Sequence, residues 1–210
     1  MTPTTEQLLD GGKKSTASKL RADKSQPTLL TVKYQQDEIL TFRIATIDDI
    51  PALVALIESG YRGEESRKGW TTEADFLDGR RTDEEALFEI LSEENSLFLL
   101  ALEAEELVGC CNLVNNVSEA HFGMFAVRPT SQGKGLGAAI MNEVERFVLS
   151  TWDNHRLVLD VLGLRAELIA WYERRGFRPT GTTRPFPYQN SRFGIPKRDD
   201  LMFLEMAKTL

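Results

Sequence analysis

The residues between Phe122 and Ala138 combine types and spacing that suit chemistry on a phosphate-bearing ligand. They read Phe122-Gly-Met-Phe-Ala-Val127, Arg128-Pro-Thr-Ser-Gln132, then Gly133-Lys134-Gly135-Leu136-Gly137-Ala138. An apolar run leads through a short polar loop into a glycine-rich helix start. Glycines there let free backbone N–H groups come close to an anion, and the helix dipole adds roughly half a positive charge at that end. Lys134 adds a point charge. A P-loop is excluded, because Lys134 precedes the glycine it should follow. The dinucleotide fingerprint is met literally by Gly133, Gly135 and Ala138. Its first glycine should follow a strand directly, however, and here Arg128–Gln132 intervene. That makes a nicotinamide-dependent oxidoreductase the distant reading.

Other reactive types are sparse. Cys110 and Cys111 are adjacent, so on a strand they face opposite sides. His121 and His155 form no ligand motif. Neither a disulfide framework nor a metal site is expected.

The elements that must position this segment alternate between helix and strand. Leu40–Ala45 reads as a strand. Thr46 to Asp49 matches a capping box with Asp in place of Glu, and Ile50, Leu53, Val54 and Ile57 then follow one helix face to Gly60. Thr82 with Glu85 reads as a second capping box, opening a helix through about Ser92. Leu97–Ala101 and Leu107–Asn115 read as a hairpin turning near Glu105 and Glu106. Phe122–Val127 is a further strand and Gly135–Ser150 a helix. Arg156–Val161 is a strand, Arg165–Arg175 a helix stopped by Gly176, and Phe177–Thr180 and Leu201–Lys208 the last strands.

The 210 residues carry 25 Lys+Arg against 32 Asp+Glu, a formal net charge of −7. That argues against a nucleic-acid partner held by phosphate neutralisation. No run approaches the ~18 apolar residues of a membrane-spanning helix, so no membrane partner is expected. The polar start, Thr2 to Glu6, lacks the apolar stretch of a secretory signal, and a cytoplasmic location is expected. Residues 1–36 hold six basic residues against three acidic, and few apolar ones before Leu29. They read as a disordered arm, with Leu29–Tyr34 able to pair as an extra edge strand. Residues 37–210 form the domain.

Two motifs in register resemble a known family. Gln132-Gly133-Lys134-Gly135-Leu136-Gly137 matches the Q/R-x-x-G-x-G/A signature of the GCN5-related (GNAT) acyltransferases. Tyr172-Glu173-Arg174-Arg175-Gly176-Phe177 is similar to that family's YEKxGF helix end. The resemblance covers about residues 40–210. It implies an α/β fold, with a central, mostly antiparallel twisted sheet splayed where acetyl-CoA enters, and an N-acetyltransferase that transfers the acetyl group directly. By position, the pyrophosphate is expected on the amides of Gln132, Gly133, Lys134, Gly135, Leu136, Gly137 and Ala138. The pantetheine arm is expected along Phe125, Ala126 and Val127, with a backbone N–H near Phe125 facing the developing oxyanion. Arg165 stands where the family often has Asn, and is placed on the cofactor. Tyr172 matches the general acid for the departing thiolate.

His121 stands where histone acetyltransferase members of the family place a Glu base. An imidazole, with its ordinary pKa near ~6.5, is suited to take the amine proton. Glu119, two residues earlier, is the rival base or a partner, and relay through water is the third option. For the acceptor, Tyr61, Trp70 and Glu73 before the second helix and Arg184 and Tyr188 in the last loop are the candidates. Acids suit an amine, and an arginine suits a carboxylate. The leading acceptor is a small-molecule primary amine. A protein lysine or N-terminus, or a silent acyl-CoA-binding module, are the alternatives. Family habit adds the expectation of a homodimer.

Overall fold

The computed structural model describes residues 30–35 and 38–210. The expected arm lies for the most part outside these residues. Its end does not: Leu30–Gln35 forms β1, paired antiparallel to β2 (Glu38–Ile44). The sheet therefore begins before the boundary drawn at residue 37.

A 3-10 turn follows β2, and there the Asp49 carboxylate accepts from the Thr46 backbone N–H at 2.7 Å. The capping box thus holds with Asp, and the turn runs into α1 (Ile50–Tyr61). Next come α2 (Gly63–Ser66), β3 (Leu77–Asp78) and α3 (Glu84–Ser92). The cap of α3 is Asp83, whose carboxylate accepts from the Ala86 N–H at 2.9 Å, and not Thr82. Thr82 is buried, and its N–H is taken by the Glu58 carboxylate of α1. The tie to α1 displaces the cap by one residue.

Strands β4 (Ser96–Glu103) and β5 (Glu106–Asn115) form a hairpin. Its two turn residues, Ala104 and Glu105, both have positive φ, the hand that matches the strand twist. Then follow β6 (Ala120–Val127), α4 (Leu136–Trp152), β7 (Arg156–Leu162) and α5 (Ala166–Arg174). The chain ends with β8 (Arg178–Pro185), the short β9 (Ile195–Pro196) and β10 (Met202–Thr209). The eight-stranded sheet has the order β1-β2-β4-β5-β6-β7-β10-β8, and β3 pairs with β9 apart from it.

Alternation along the strands sorts the core onto two faces. Leu97, Leu99 and Ala101 of β4 pack with Cys111, Leu113 and the inner face of α4. Phe98 and Leu100 pack with Cys110, α1 and α3 on the other side. The two buried cysteines thus stand on opposite faces, as adjacent strand residues must.

Two features of β6 shape the site. Its other neighbour, β5, is antiparallel, but β6 and β7 run parallel and pair only at Ala120–Leu157 and His121–Val158. Past those residues the strands part. β6 also bulges: Cys110 faces Ala126 and Asn112 faces Gly123, so Met124 and Phe125 together oppose Cys111. Met124 takes φ +44° to do so. A bulge frees backbone groups from the ladder and re-aims side chains. No helix among the described residues is long and apolar enough to cross a membrane.

Candidate active site

Two cavities open where β6 and β7 part. The first, of about 460 Å³, lies among the end of β6, the start of α4, α5 and the loop carrying Trp70 and Thr71. Gly133 and Gly135 turn the chain here at φ +80° and +84°, conformations that cost an L-residue with a side chain. Gly135 is the N-cap of α4, and no side chain caps the helix. Its first N–H groups are left to meet an acceptor from outside. Gly137 lines the same wall, where a Cβ would reach Phe125 and Trp171 at 3.5 Å.

Gln132 works through its side chain as well. Its Oε1 accepts from the Trp70 backbone N–H at 2.9 Å, and its Nε2 donates to the Val127 carbonyl at 3.0 Å. It thereby ties the 70–71 loop to the end of β6. Gly69 must be glycine for this, since a Cβ would come within 2.5 Å of Gln132 Oε1.

The second cavity, of about 260 Å³, lies on the far side of Tyr172. Leu77, Phe122, Phe186, Phe193 and Phe203 give it apolar walls, and Arg62, Glu73, Arg81, His121 and Asp160 its charges. Tyr61, Arg165, Leu168 and Tyr172 line both cavities and mark their junction. Tyr172 is 5% exposed and held edge-on by Phe122, Trp171 and Phe177. Its phenol makes no hydrogen bond to another described residue. Burial pushes its pKa far up, so the group keeps its proton at any ordinary pH. Burial likewise pushes the Tyr61 phenol up to about 12.

Beneath the junction lies a buried ion network. The Glu73 carboxylate binds the Arg62 guanidinium with one oxygen and Arg165, at 3.1 Å, with the other. Arg165 also donates to Thr71 Oγ1 at 2.9 Å, and Arg62 to the Phe193 carbonyl at 3.0 Å. The network joins α1, the 70–73 loop, the start of α5 and the loop before β9.

On the other wall, His121 Nε2 lies 3.3 Å from Asp160 Oδ2, and Arg184 donates to the second carboxylate oxygen. Burial alone would raise the Asp160 pKa, but the hydrogen bonds from His121 and Arg184 outweigh it and hold the carboxyl below its usual range. Whatever stability this carboxylate gives is therefore present above the ordinary Asp range and lost as pH falls through the lowered value.

The structure gathers Phe125, Ala126, Val127, Gln132, Gly133, Gly135, Gly137, Ala138, Arg165 and Tyr172 around the first cavity, as the motifs imply. The Leu136 side chain is 1% exposed and packs in the core, and the exposed Lys134 does not line the cavity, so their backbone amides alone remain candidates for the pyrophosphate. Three other expected residues lie elsewhere. Trp70 lines the first cavity and not the second. Glu119 precedes β6 and pairs with Arg156 at 3.1 Å, away from both cavities. Tyr188 lines neither, and its hydroxyl instead accepts from the Leu201 N–H at 2.7 Å, which anchors the last loop.

Glu73 is at the second cavity, but both its oxygens are held by arginines, so it offers no free carboxylate to an amine. Arg184 reaches that cavity only through Asp160. Sequence reading missed Arg62, Arg81 and Asp160. A lone Asp in the apolar run of β7 was the available signal for the last.

Over residues 60–177 the sequence matches the acetyltransferase (GNAT) family. A search of curated proteins by sequence gave no match. Among solved structures, the chain is similar to the ribosomal-protein-S18-alanine N-acetyltransferase of Escherichia coli. Identity is 20% and the TM-score 0.60, over 81% of this chain and 93% of the other. A spermidine N-acetyltransferase of Vibrio cholerae matches at 15% identity and TM-score 0.59, again over 81% and 93%. A protein assigned as a phosphinothricin N-acetyltransferase matches at 18% identity and TM-score 0.61, over 81% and 98%. At such identities these likenesses establish the fold alone, and the acceptors of the three differ. The family match spans more than half the chain and includes both the glycine turn and the Tyr172 helix, so the protein belongs to the GNAT family of N-acetyltransferases, which take their acetyl group from acetyl-CoA.

Proposed function

We propose that the first cavity holds acetyl-CoA, the second a small-molecule amine, and that acetyl transfer takes place at their junction beside Tyr172. The observation that carries this reading is the pair of cavities meeting at Tyr61, Arg165, Leu168 and Tyr172. The residues present fit the donor. The uncapped N-terminus of α4 and its glycine turn suit a pyrophosphate, and Arg174 and Arg175 on the same cavity add cationic partners for phosphate. Acetyl-CoA supplies a thioester carbonyl and a thiolate leaving group.

The chain's own groups then have separate tasks. The bulge at Met124 and Phe125 takes these two residues out of the regular ladder with β5, and a backbone N–H freed there would meet the negative charge that develops on the carbonyl oxygen. Tyr172 holds a proton at its phenol oxygen for the departing sulfur. His121, aligned by Asp160, takes the proton from the incoming ammonium, because only the neutral amine has the lone pair that attacks. The volume of about 260 Å³ matches a small amine.

The direct test follows free thiol release from acetyl-CoA against a panel of amines, polyamines and N-terminal peptides. Thiol release with a small amine supports the reading, and release with peptides alone reassigns the acceptor. Two variants separate the parts. Gly135→Asp places a carboxylate against the phosphate site and forces a side chain into a left-handed backbone. It is expected to raise the acetyl-CoA Kd by at least ~30-fold, about 2 kcal/mol, read by calorimetry with NAD as the control ligand. His121→Ala is expected to lower kcat/KM by about 10- to 100-fold near neutral pH, with the acetyl-CoA Kd within about twofold of wild type. An unchanged rate would leave deprotonation to water.

A further inference from the structure

We infer that the acceptor carries an acidic group beside its amine, that Arg81 receives this group, and that an apolar side chain fills the rest of the cavity. The inference rests on the proposed function and names its substrate class. Three guanidinium groups, from Arg62, Arg81 and Arg165, line the second cavity against two carboxylates, Glu73 and Asp160. Both carboxylates are already committed. Glu73 is shared between Arg62 and Arg165, and Asp160 lies between His121 and Arg184. Little negative charge remains to receive a second ammonium, so a polyamine finds no partner.

Among the described residues, one of these three guanidinium groups has no carboxylate partner. The Arg81 guanidinium lies 5.3 Å from the Tyr61 ring centroid, and no described carboxylate lies within ion-pair distance of it. Its backbone N–H and that of Thr82 are bound by the Glu58 carboxylate, which fixes the start of the segment at the cavity wall. A guanidinium stacked on a tyrosine keeps its donor edges in plane for a carboxylate or phosphinate. His121, the proposed proton acceptor, lines the same cavity. An α-amino acid would thus place its amine toward His121 and Tyr172 and its acid toward Arg81. Its side chain would lie against Leu77, Phe186, Phe193 and Phe203. Apolar amino acids, and their phosphinate analogues, have the matching size and charge.

The test pairs each apolar amino acid with its decarboxylated amine and its amide, as acceptors for the whole protein with saturating acetyl-CoA. The amino acid is expected to exceed its decarboxylated amine in kcat/KM by at least ~10-fold, the worth of one charge-assisted bond. In Arg81→Gln that ratio is expected to fall to within about threefold of unity through a raised KM for the amino acid, with partial recovery in Arg81→Lys. Calorimetry of the same amino acid against protein saturated with CoA should show its binding weakened in Arg81→Gln. Acetylation of amines with no preference for the acid, or a preference that survives Arg81→Gln, would overturn this inference and leave the proposed function standing. Acetylation of no small amine at all would remove both.

Discussion

Tyr172→Phe should lower kcat at least ~10-fold, and up to ~1000-fold where proton donation to sulfur limits the rate, while leaving the acetyl-CoA Kd within about twofold of wild type. The substitution deletes one oxygen and keeps the ring. The edge-on contacts with Phe122, Trp171 and Phe177 persist, and no described hydrogen-bond partner is orphaned. Stability should therefore change little. A loss confined to kcat, with unaltered melting and affinity, identifies the phenol proton as the agent. An unchanged kcat would mean that the thiolate leaves without help from Tyr172, and the junction would then serve for alignment alone. Burial keeps the phenol protonated and so able to donate a hydrogen bond to the departing sulfur, while the same upward shift makes it a weaker acid and opposes full proton transfer.

Glu73→Ala should lower the unfolding free energy by about 3–5 kcal/mol, because it leaves two buried guanidinium groups facing each other without their counter-ion. For a chain of this size that corresponds to a fall in Tm of roughly 10 °C. Urea and thermal denaturation measure it directly. Arg62 and Arg165 are each tied to a second partner, the Phe193 carbonyl and Thr71, so the loss should spread to the loop before β9 and the 70–73 loop. Glu73→Gln keeps one acceptor oxygen and should recover part of the loss. The outcome also separates two roles. Were Glu73 a ligand for the amine, as its charge and place in the sequence imply, the Ala variant would raise the acceptor KM and leave Tm intact. The structure favours the large stability change.

How much was legible in the sequence differs between the two cavities. Most residues lining the first cavity were legible, because that cavity is built largely from backbone. A helix N-terminus, a positive-φ turn and a strand edge are all encoded locally, by glycines and by the run from Gln132 to Ala138. Only side-chain direction was not legible there. Leu136 and Lys134 sit inside the motif but turn away from the cavity, since successive residues at a helix start point in different directions.

The second cavity was less legible, for a different reason. Glu73 and Trp70 are three residues apart, yet one is buried under two arginines and the other faces the donor cavity. The partner of Glu73 on α5, Arg165, lies 92 residues away, and the partner of His121, Asp160, lies 39 residues away. No local pattern encodes such a pairing. Glu119 shows the converse, for its nearness to His121 in sequence suggested a shared role that the turn into β6 removes.

By itself the sequence determined the family, the donor and the identity of the phenol at the junction, because each depends on short-range spacing that fixes backbone conformation. The tertiary structure alone decided which charges are neutralised and which remain free. Charge balance is a property of residues brought together by the sheet order and the parting of β6 from β7, and among the described residues it leaves Arg81 at the second cavity with no carboxylate partner.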